Sequence, residues 1–280
     1  MNTFYAVLLG LIQGLTEFLP ISSTAHLTLT GKLLGLIDEQ NAQAWTAFIA
    51  VMQLGTLAAV IVYFFKDVVG MVISLIRDVR SSGMKSYSSE SKLAIYIIIG
   101  TIPIAVVGII SRDILHGMFT KNILVIIASL VTLAGVLWLA EKIAQHVCSI
   151  NQMTLTDALV IGAAQALALI PGSSRSGTTI TAGLFLNYTR YAAARFSFLL
   201  SIPAVMASGL YELTTINENA FQFGVLNLVI ATLVSAISGY AAIAWLLKFL
   251  VKNTTMVFVW YRFSLGLALA LLLLFGIIQP

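Results

Sequence analysis

Four ionisable side chains lie inside otherwise apolar stretches of this sequence: Glu17, His26, Arg175 and Arg262. A charge in the hydrocarbon region of a membrane is expensive unless it is paired or hydrated, so such residues indicate a functional site. A Glu17–Arg175 ion pair that serves only the structure is the alternative. Arg262 differs, because it stands beside Tyr261 near the end of the last apolar stretch, where snorkelling to the membrane surface explains it equally well.

The first cluster of these groups surrounds a break within residues 13–26, whose sequence is QGLTEFLPISSTAH. Gln13 and Glu17 are four residues apart and therefore share one face of a helix. Pro20 disfavours helical geometry in the residue before it, which ends this first half-helix. Both polar side chains can therefore point into one cavity.

A second short helix is predicted to begin at the serines of the same break. Ser22 or Ser23 is a natural N-cap, and a helix N-terminus offers free N–H groups and a positive dipole end to an anion. Together with Thr24, these residues supply hydroxyl groups for binding. His26 follows about one turn later, close enough to exchange a proton with the hydroxyl of Ser22 or Ser23.

The second break has the sequence PGSSRSGTT over residues 171–179. Gly172 lets the backbone approach a ligand closely, and the planar guanidinium of Arg175 matches two phosphate oxygens at once. The two breaks together predict a site for a phosphate or diphosphate. The predicted binding hydroxyls of the second break are those of Ser173, Ser174, Ser176 and Thr178.

A carboxylate beside a phosphate requires an explanation, because the two anions repel each other. Either a divalent cation bridges Glu17 and the anion, or Glu17 acts as a base or orients His26. Mg²⁺ usually binds through one or two carboxylates plus phosphate oxygens, so the scarcity of other acids is no objection. We therefore expect a divalent cation, with Glu17 as its ligand.

The composition places both breaks in a membrane protein. Of the 280 residues, 59% are apolar and only 9% are charged, whereas a soluble protein carries about a quarter charged residues. The net charge of +4 is explained by basic loops at an anionic leaflet, and a nucleic-acid partner is not expected. Six stretches are long enough to span a bilayer: 45–65, 93–111, 122–140, 195–213, 223–247 and 257–278.

Two further apolar stretches, 5–19 and 157–170, are each ended by a proline and are too short to cross a bilayer. Each is followed by a serine-rich turn and another short apolar helix, which predicts re-entrant hairpins at 5–36 and 157–187. Irregular backbone at membrane depth is tolerated where it lines a cavity. A kinked transmembrane helix is the alternative.

An internal repeat organises these elements. The sequence GLIQ at 10–13 and GAAQ at 162–165 precede the two breaks at an offset of 152, which slips to 151 if the two prolines are aligned. Each copy contains one hairpin and three spans, so the second copy must be inverted. We predict an all-α polytopic membrane protein with one domain, 1–280, composed of inverted repeats at 1–140 and 156–280.

Charge placement gives the orientation, since lysine and arginine are enriched in cytoplasmic loops. If the loop 66–92 is cytoplasmic, alternation of the spans puts both termini outside. The cytoplasmic side then holds Lys66, Arg77, Arg80, Lys85, Lys92, Lys142, Arg190, Arg195, Lys248 and Lys252, against Lys32, Arg112 and Lys121 outside.

These residues resemble the bacterial undecaprenyl-diphosphate phosphatases, also called bacitracin-resistance proteins. The breaks are similar to that family's two signatures, (E/Q)xxxE followed by proline and SSTxH, and PGxSRSxxT. FSFLL at 196–200 and YRF at 261–263 match as well. The resemblance implies hydrolysis of undecaprenyl diphosphate to its monophosphate and inorganic phosphate, with Mg²⁺ or Ca²⁺. It also implies a bacterial cytoplasmic membrane location, with the site open to the external face, where the lipid carrier is recycled for cell-wall synthesis.

By motif, the resemblance implies that Glu17 is the essential acid, Ser23 the proposed nucleophile, His26 its acid/base partner and Arg175 the phosphate clamp. Gln13 stands where some members carry glutamate, which counts against any scheme that needs two carboxylates in the first break. Attack by Ser23 and attack by a water that His26 activates both stay open.

Two further expectations concern function and assembly. Inverted repeats with sites at the membrane midplane also characterise transporters, so a lipid-phosphate transporter or flippase is the alternative function. Gly10 and Gly14 have the spacing of close helix packing, within one chain more readily than between two copies. A homodimer therefore stays an open expectation.

Overall fold

The described part of the chain is helical, apart from short turns and one isolated bridge between Cys148 and Tyr188. Predictions that concern Lys85 and Arg112 lie outside the described residues. The structure, a computed structural model, describes residues 1–38, 41–81, 87–111, 115, 118–215 and 222–279.

Six helices in the described residues are long and apolar enough to cross a membrane. They confirm the six predicted spans and the all-α polytopic class, with ends shifted by a few residues. Large aliphatic side chains cover their outer faces, as at Ile109 and Ile237, which are 77% and 75% exposed. The six are α3 (Ala42–Tyr63), α5 (Ser89–Ile110), α6 (Ile123–Ile143), α9 (Arg190–Thr215), α10 (Val225–Lys252) and α11 (Met256–Leu274).

Four shorter helices form two pairs, and each pair is interrupted at the proline that the sequence indicated. The first pair is α1 (Thr3–Phe18) and α2 (Ser23–Leu33), and the second is α7 (Leu155–Ala166) and α8 (Arg175–Phe185). A short 3₁₀ turn, Leu167–Leu169, extends α7 toward its break. We call the two breaks the first tip, residues 19–23, and the second tip, residues 170–175.

The first pair begins and ends at one face of the bundle. The side-chain amide of Asn227, at the start of α10, donates to the Met1 carbonyl at 2.7 Å. At the other end of the pair, Lys32 Nζ donates to the Gln279 carbonyl at 2.7 Å. The start of α1 and the end of α2 therefore lie with both chain termini, at what we call the first face.

The second pair begins and ends at the opposite, second face. The backbone N–H of Thr189, just after α8, donates to the Cys148 carbonyl at 2.9 Å. The Tyr188 hydroxyl donates to Asp157 Oδ2 at 2.8 Å, in the first turn of α7. Burial, together with this bond, raises the pKa of Tyr188, so the phenol remains a donor. Entry from opposite faces is what inverted hairpins require, and their depth in a bilayer stays a prediction.

Equivalent helices of the two halves pack in equivalent ways. A Cβ on Gly10 of α1 would lie 3.0 Å from Ala231 Cα of α10, and one on Gly162 of α7 would lie 2.9 Å from Gly100 Cα of α5. Helices that meet at glycine approach to backbone contact. This packing supports the inverted repeat, while the boundaries 1–140 and 156–280 stay predictions.

The predicted loop 66–92 is wrong in one respect, because much of it is helix. A further helix, α4 (Phe65–Ser81), follows α3 after a single residue. Asp78 accepts hydrogen bonds at 2.8 Å from the backbone N–H and the hydroxyl of Ser88, and at 2.7 Å from the Ser91 hydroxyl. These bonds hold the pKa of Asp78 well below its usual range. They join α4 to the start of α5.

We predict that Gly162→Ala lowers thermal stability in detergent, whereas Gly108→Ala does not. The added methyl group at 162 would meet the backbone of Gly100, and such overpacking costs about 1–3 kcal/mol. A Cβ at Gly108 meets nothing within 4 Å. Thermal unfolding at one scan rate compares the two variants with wild type. Equal midpoints for all three would show that backbone contact between α5 and α7 is not required.

Candidate active site

One carboxylate, that of Glu17, lies at the centre of the two tips. Arg175 Nη2 donates to Glu17 Oε1 at 2.8 Å across the two halves of the chain. On the other oxygen, Oε2, Glu17 accepts from Ser23 Oγ at 2.8 Å and from Gln13 Nε2 at 2.9 Å. Glu17 itself is only 7% exposed. The structure therefore joins three of the four predicted catalytic residues, Glu17, Ser23 and Arg175, and adds Gln13 to them.

Both tips begin their second helix with the same unusual backbone turn. Ser22 has φ 73° and ψ 98°, and Ser174 has φ 69° and ψ 112°, in a left-handed region that non-glycine residues seldom adopt. Each serine hydroxyl accepts from the N–H three residues on, Ala25 at 3.3 Å and Gly177 at 3.1 Å. Glycine would enter this conformation more easily, but it has no side-chain oxygen to accept that N–H group.

The equivalent turns fix how the two halves correspond. Ser22 and Ser174 are 152 positions apart (174 − 22), the same offset as in the preceding helices, so the slip to 151 inferred from the prolines is wrong. Ser23 and Arg175 are therefore equivalent first residues of α2 and α8. Both donate to Glu17, Ser23 to Oε2 and Arg175 to Oε1.

Arg262 fastens the two tips together. It is completely buried, so the snorkelling interpretation is wrong. Its Nη1 donates to the carbonyls of Pro20 at 3.4 Å and Ser173 at 3.1 Å, and its Nη2 donates to that of Gly172 at 3.3 Å. The guanidinium thus bonds to the main chain of both tips. Two further bonds reach α6, at the carbonyls of Ser129 and Leu130.

Several predicted binding hydroxyls also hold the tips in shape. The Ser176 hydroxyl donates to the Leu19 carbonyl at 2.9 Å and so links the second tip to the first. It lies 3.2 Å from the Ser174 hydroxyl, and Thr178 Oγ1 donates to the Arg175 carbonyl at 3.0 Å. Ligand contacts by these hydroxyls stay predictions, alongside the structural bonds that they make.

His26 has partners that the sequence did not indicate. Its Nδ1 is 2.7 Å from the Ser22 carbonyl, and its Nε2 is 2.7 Å from the Tyr261 hydroxyl, with the two rings inclined by only 12°. A carbonyl only accepts, so Nδ1 carries a proton, and in the neutral ring Nε2 accepts from Tyr261. The expected contact of His26 with the hydroxyl of Ser22 or Ser23 is not formed. The signal for Tyr261 was its position beside the intramembrane Arg262.

Most of the side chains that could react with a ligand or bind it directly are accessible from outside the site. Ser23, Thr24, His26 and Arg175 are partly exposed, whereas Ser173 is fully buried. A ligand that reaches the tips therefore meets two hydroxyls, an imidazole and a guanidinium. It also meets the first turns of α2 and α8, whose leading N–H groups have no partner within a helix.

The side-chain oxygen of Gln13, next to Glu17, is a candidate ligand for the expected divalent cation. Gln13 is fully buried, and its Oε1 has no hydrogen-bond partner among the described residues. Carboxylate and amide oxygens are ligands that Mg²⁺ and Ca²⁺ accept, so Gln13 and Glu17 fit a divalent cation. In the described part of the chain, no group of three His, Cys, Asp or Glu side chains could hold a metal. Such a cation would therefore take its remaining oxygens from phosphate, water or hydroxyl groups.

Comparisons with known proteins cover almost the whole chain. The family model described as "Bacitracin resistance protein BacA" matches residues 6–268. A protein from Syntrophobacter fumaroxidans named "Undecaprenyl-diphosphatase" is 52% identical over 271 residues, which are 96% of each chain. Relatives with the same name come from Myxococcus xanthus, 45% identical over 100% of this chain and 92% of the relative, and Chlorobium phaeovibrioides, 44% identical over 100% of both.

We predict that Arg262→Gln and Arg262→Lys both lower the thermal midpoint in detergent. Arg262 bonds to five main-chain carbonyls, whereas lysine has three N–H donors and glutamine two, and each buried carbonyl left unpaired costs about 1–3 kcal/mol. The matched control is Arg77→Gln, at a side chain that is 64% exposed, and its midpoint should equal that of wild type. A wild-type midpoint in Arg262→Gln would contradict the conclusion that Arg262 holds the two tips together.

Proposed function

Because the chain belongs to the bacitracin resistance protein BacA family, we propose that it hydrolyses undecaprenyl diphosphate to undecaprenyl phosphate and inorganic phosphate. The relatives' names support this reaction over transport alone. The observation that carries the proposal is the carboxylate of Glu17, bonded to Ser23 and Arg175 between two helix N-termini. In the bacterial cytoplasmic membrane, with its site open to the external face, such an enzyme would return the carrier lipid to cell-wall synthesis.

In the proposed complex the diphosphate lies between the tips and the polyprenyl tail lies between the spans. Arg175 uses one N–H group on Glu17 and another, at 3.4 Å, on the Ser197 carbonyl. Since a guanidinium has five N–H donors, three remain for phosphate oxygens. The N-termini of α2 and α8 add free N–H groups and the positive ends of two helix dipoles.

The contacts of Ser23 support a role as nucleophile. Its hydroxyl donates to Glu17, so the carboxylate is placed to receive the proton when the oxygen attacks the terminal phosphorus. The bond from that phosphorus to the bridging oxygen breaks, and undecaprenyl phosphate leaves. Water then hydrolyses the phosphoserine to serine and inorganic phosphate. Arg175 stabilises charge on the transferring phosphoryl group, where most of the catalysis in phosphoryl transfer originates.

His26 is better placed for water than for Ser23. Its Nε2 accepts from Tyr261 rather than from a serine, and the ring is partly exposed. We assign to this pair the exchange of a proton with water as water attacks phosphorus. In the alternative route, the same water attacks the substrate directly and no phosphoserine forms.

A divalent cation, Mg²⁺ or Ca²⁺, completes the proposal. When bound, it would neutralise charge on the diphosphate. The ligands that this chain offers are a Glu17 carboxylate oxygen and Gln13 Oε1. A homodimer stays a prediction, since the site is formed within one chain.

We predict that Glu17→Gln, Ser23→Ala and Arg175→Lys each lower phosphate release by about 10²-fold or more, because each removes a contact with the reacting group. The assay uses purified protein in detergent with a polyprenyl diphosphate, a format in which a transporter releases no phosphate. Ser264→Ala, at an exposed serine of α11, is the control and should retain wild-type activity. A near-normal rate of phosphate release by Arg175→Lys would exclude Arg175 as the residue that binds the phosphate oxygens.

A second measurement separates the two routes of attack. Rapid acid quench of wild type with substrate labelled in the terminal phosphate should trap label on Ser23, and Ser23→Ala provides the blank. Labelled protein without label at position 23 would place the nucleophile elsewhere. Full turnover with no labelled protein at any time would favour direct attack by water.

We also predict that Gln13 sets the cation requirement. Loss of an outer-shell partner alone typically weakens metal affinity about 10–100-fold, so loss of a direct ligand in Gln13→Leu should raise the cation concentration for half-maximal activity by about tenfold or more. Gln13→Glu adds a negative charge and should lower that concentration. Titration of Mg²⁺ and Ca²⁺ into chelator-treated protein measures both effects. Identical titrations for wild type and Gln13→Leu would exclude this residue as a ligand.

A further inference from the structure

The helix α4 carries a continuous apolar face that no other part of the described chain covers. At 100° per residue, six large side chains fall on one side of the helix, and each is between 37% and 63% exposed. We call this set the outer face of α4: Phe65, Val69, Val72, Ile73, Ile76 and Val79.

Three polar side chains of α4, those of Asp67, Ser74 and Asp78, point the other way, into the protein. Asp67 Oδ1 accepts from Arg195 Nη2 of α9 at 2.9 Å. Ser74 Oγ donates to Glu90 Oε2 of α5 at 2.5 Å, and the Asp78 carboxylate accepts from the residues that begin α5. A helix at a water-exposed surface has the opposite arrangement, with its apolar stripe against the core. The outer face of α4 therefore requires an apolar surrounding.

The position of α4 is fixed by the two spans that it joins. α3 ends at Tyr63 and α5 begins at Ser89, both at the second face, next to Arg195 of α9. α4 has 17 residues, about 25 Å at a rise of 1.5 Å per residue, which is too short to cross the bilayer and return. Its axis therefore runs along the second face.

A row of cations borders the outer face. Lys66 and Arg77 are exposed and fall on one edge of the apolar set at helical spacing, and Arg80, also exposed, falls within the set close to that edge. The two acids of the helix are held by the protein instead, Asp67 by Arg195 and Asp78 by the start of α5. The edge of α4 that is available to a partner is therefore positively charged, directly beside an aliphatic surface.

From this arrangement we propose that α4 is an interfacial anchor that binds anionic lipid. Its outer face lies among the acyl chains of the leaflet at the second face, and Lys66, Arg77 and Arg80 contact the phosphate groups of anionic headgroups. An aliphatic face bordered by Lys and Arg is the pattern of helices that lie in the interface plane, and cations at that depth attract anionic lipids. The proposal is independent of the catalytic function, since none of these residues belongs to the candidate active site.

Site-directed spin labelling of the full chain tests the position of α4. In a Cys148→Ser background, which removes the single native cysteine, labels are placed by Ile73→Cys on the outer face, by Ile109→Cys on a span and by Thr254→Cys in an exposed loop. In phosphatidylcholine vesicles, the label at 73 should be accessible to oxygen and shielded from a water-soluble nickel chelate, as at 109. Accessibility to the nickel chelate as high as at 254 would overturn the proposal.

The same protein tests the selection of anionic lipid. Spin-labelled phosphatidylglycerol should associate more strongly than spin-labelled phosphatidylcholine, and Lys66→Gln, Arg77→Gln and Arg80→Gln should each reduce that preference by about fivefold, from the energy of one cation near an anionic surface. As a control, the variant that combines all three substitutions should keep the wild-type thermal midpoint and the wild-type rate of phosphate release. Equal preference in that variant and wild type would overturn the lipid site. Dipolar broadening between labels at 73 that grows with protein density would overturn it as well, in favour of a second copy.

Discussion

The buried ion pair between Glu17 and Arg175 is the interaction on which the rest of the site depends. Two opposite charges at this depth are tolerable only as a pair, because removal of either partner leaves the other charge buried and uncompensated. The two residues are 158 positions apart, so the pair forms only if both tips meet. Glycine contacts that bring α1 onto α10 and α7 onto α5, and the Arg262 clamp between the tips, all serve that meeting.

The repeat supplies a symmetric frame, and the chemistry arises where the two halves differ. Ser23 and Arg175 occupy equivalent positions, so one half contributes a hydroxyl where the other contributes a cation. Gln13 and Gln165 are also equivalent, but at the offset of 152 the counterpart of Glu17 is Leu169. Gln13 therefore donates to a carboxylate, whereas both amide atoms of Gln165 are buried without a partner among the described residues. A single acid serves both halves of the site.

The sequence could predict features that depend on local patterns, but it could not predict contacts between residues that are far apart in the chain. Hydropathy located the six spans, and the prolines located both breaks. Arg262 was misjudged because its partners are carbonyls of tips that lie at least 89 residues away, and a charge near a helix end resembles snorkelling. The Tyr261 partner of His26 is 235 residues away. The sequence indicated a loop where α4 lies, because charged residues are interspersed among its apolar ones. The apolar face of α4 becomes evident only in the structure, where those side chains are exposed on one side of the helix.

The strained turns at Ser22 and Ser174 explain why so many bonds converge on the tips. A non-glycine residue held in a sparsely populated backbone region costs about 1–3 kcal/mol and persists only where the surroundings over-determine it. Here the caps on Ala25 and Gly177 and the bonds from Arg262 supply that constraint. The gain is that two helix N-termini are fixed in direction before any phosphate arrives. Donors that need no reorganisation stabilise developing charge most effectively, so in the proposed mechanism this strain would serve catalysis as well as the fold.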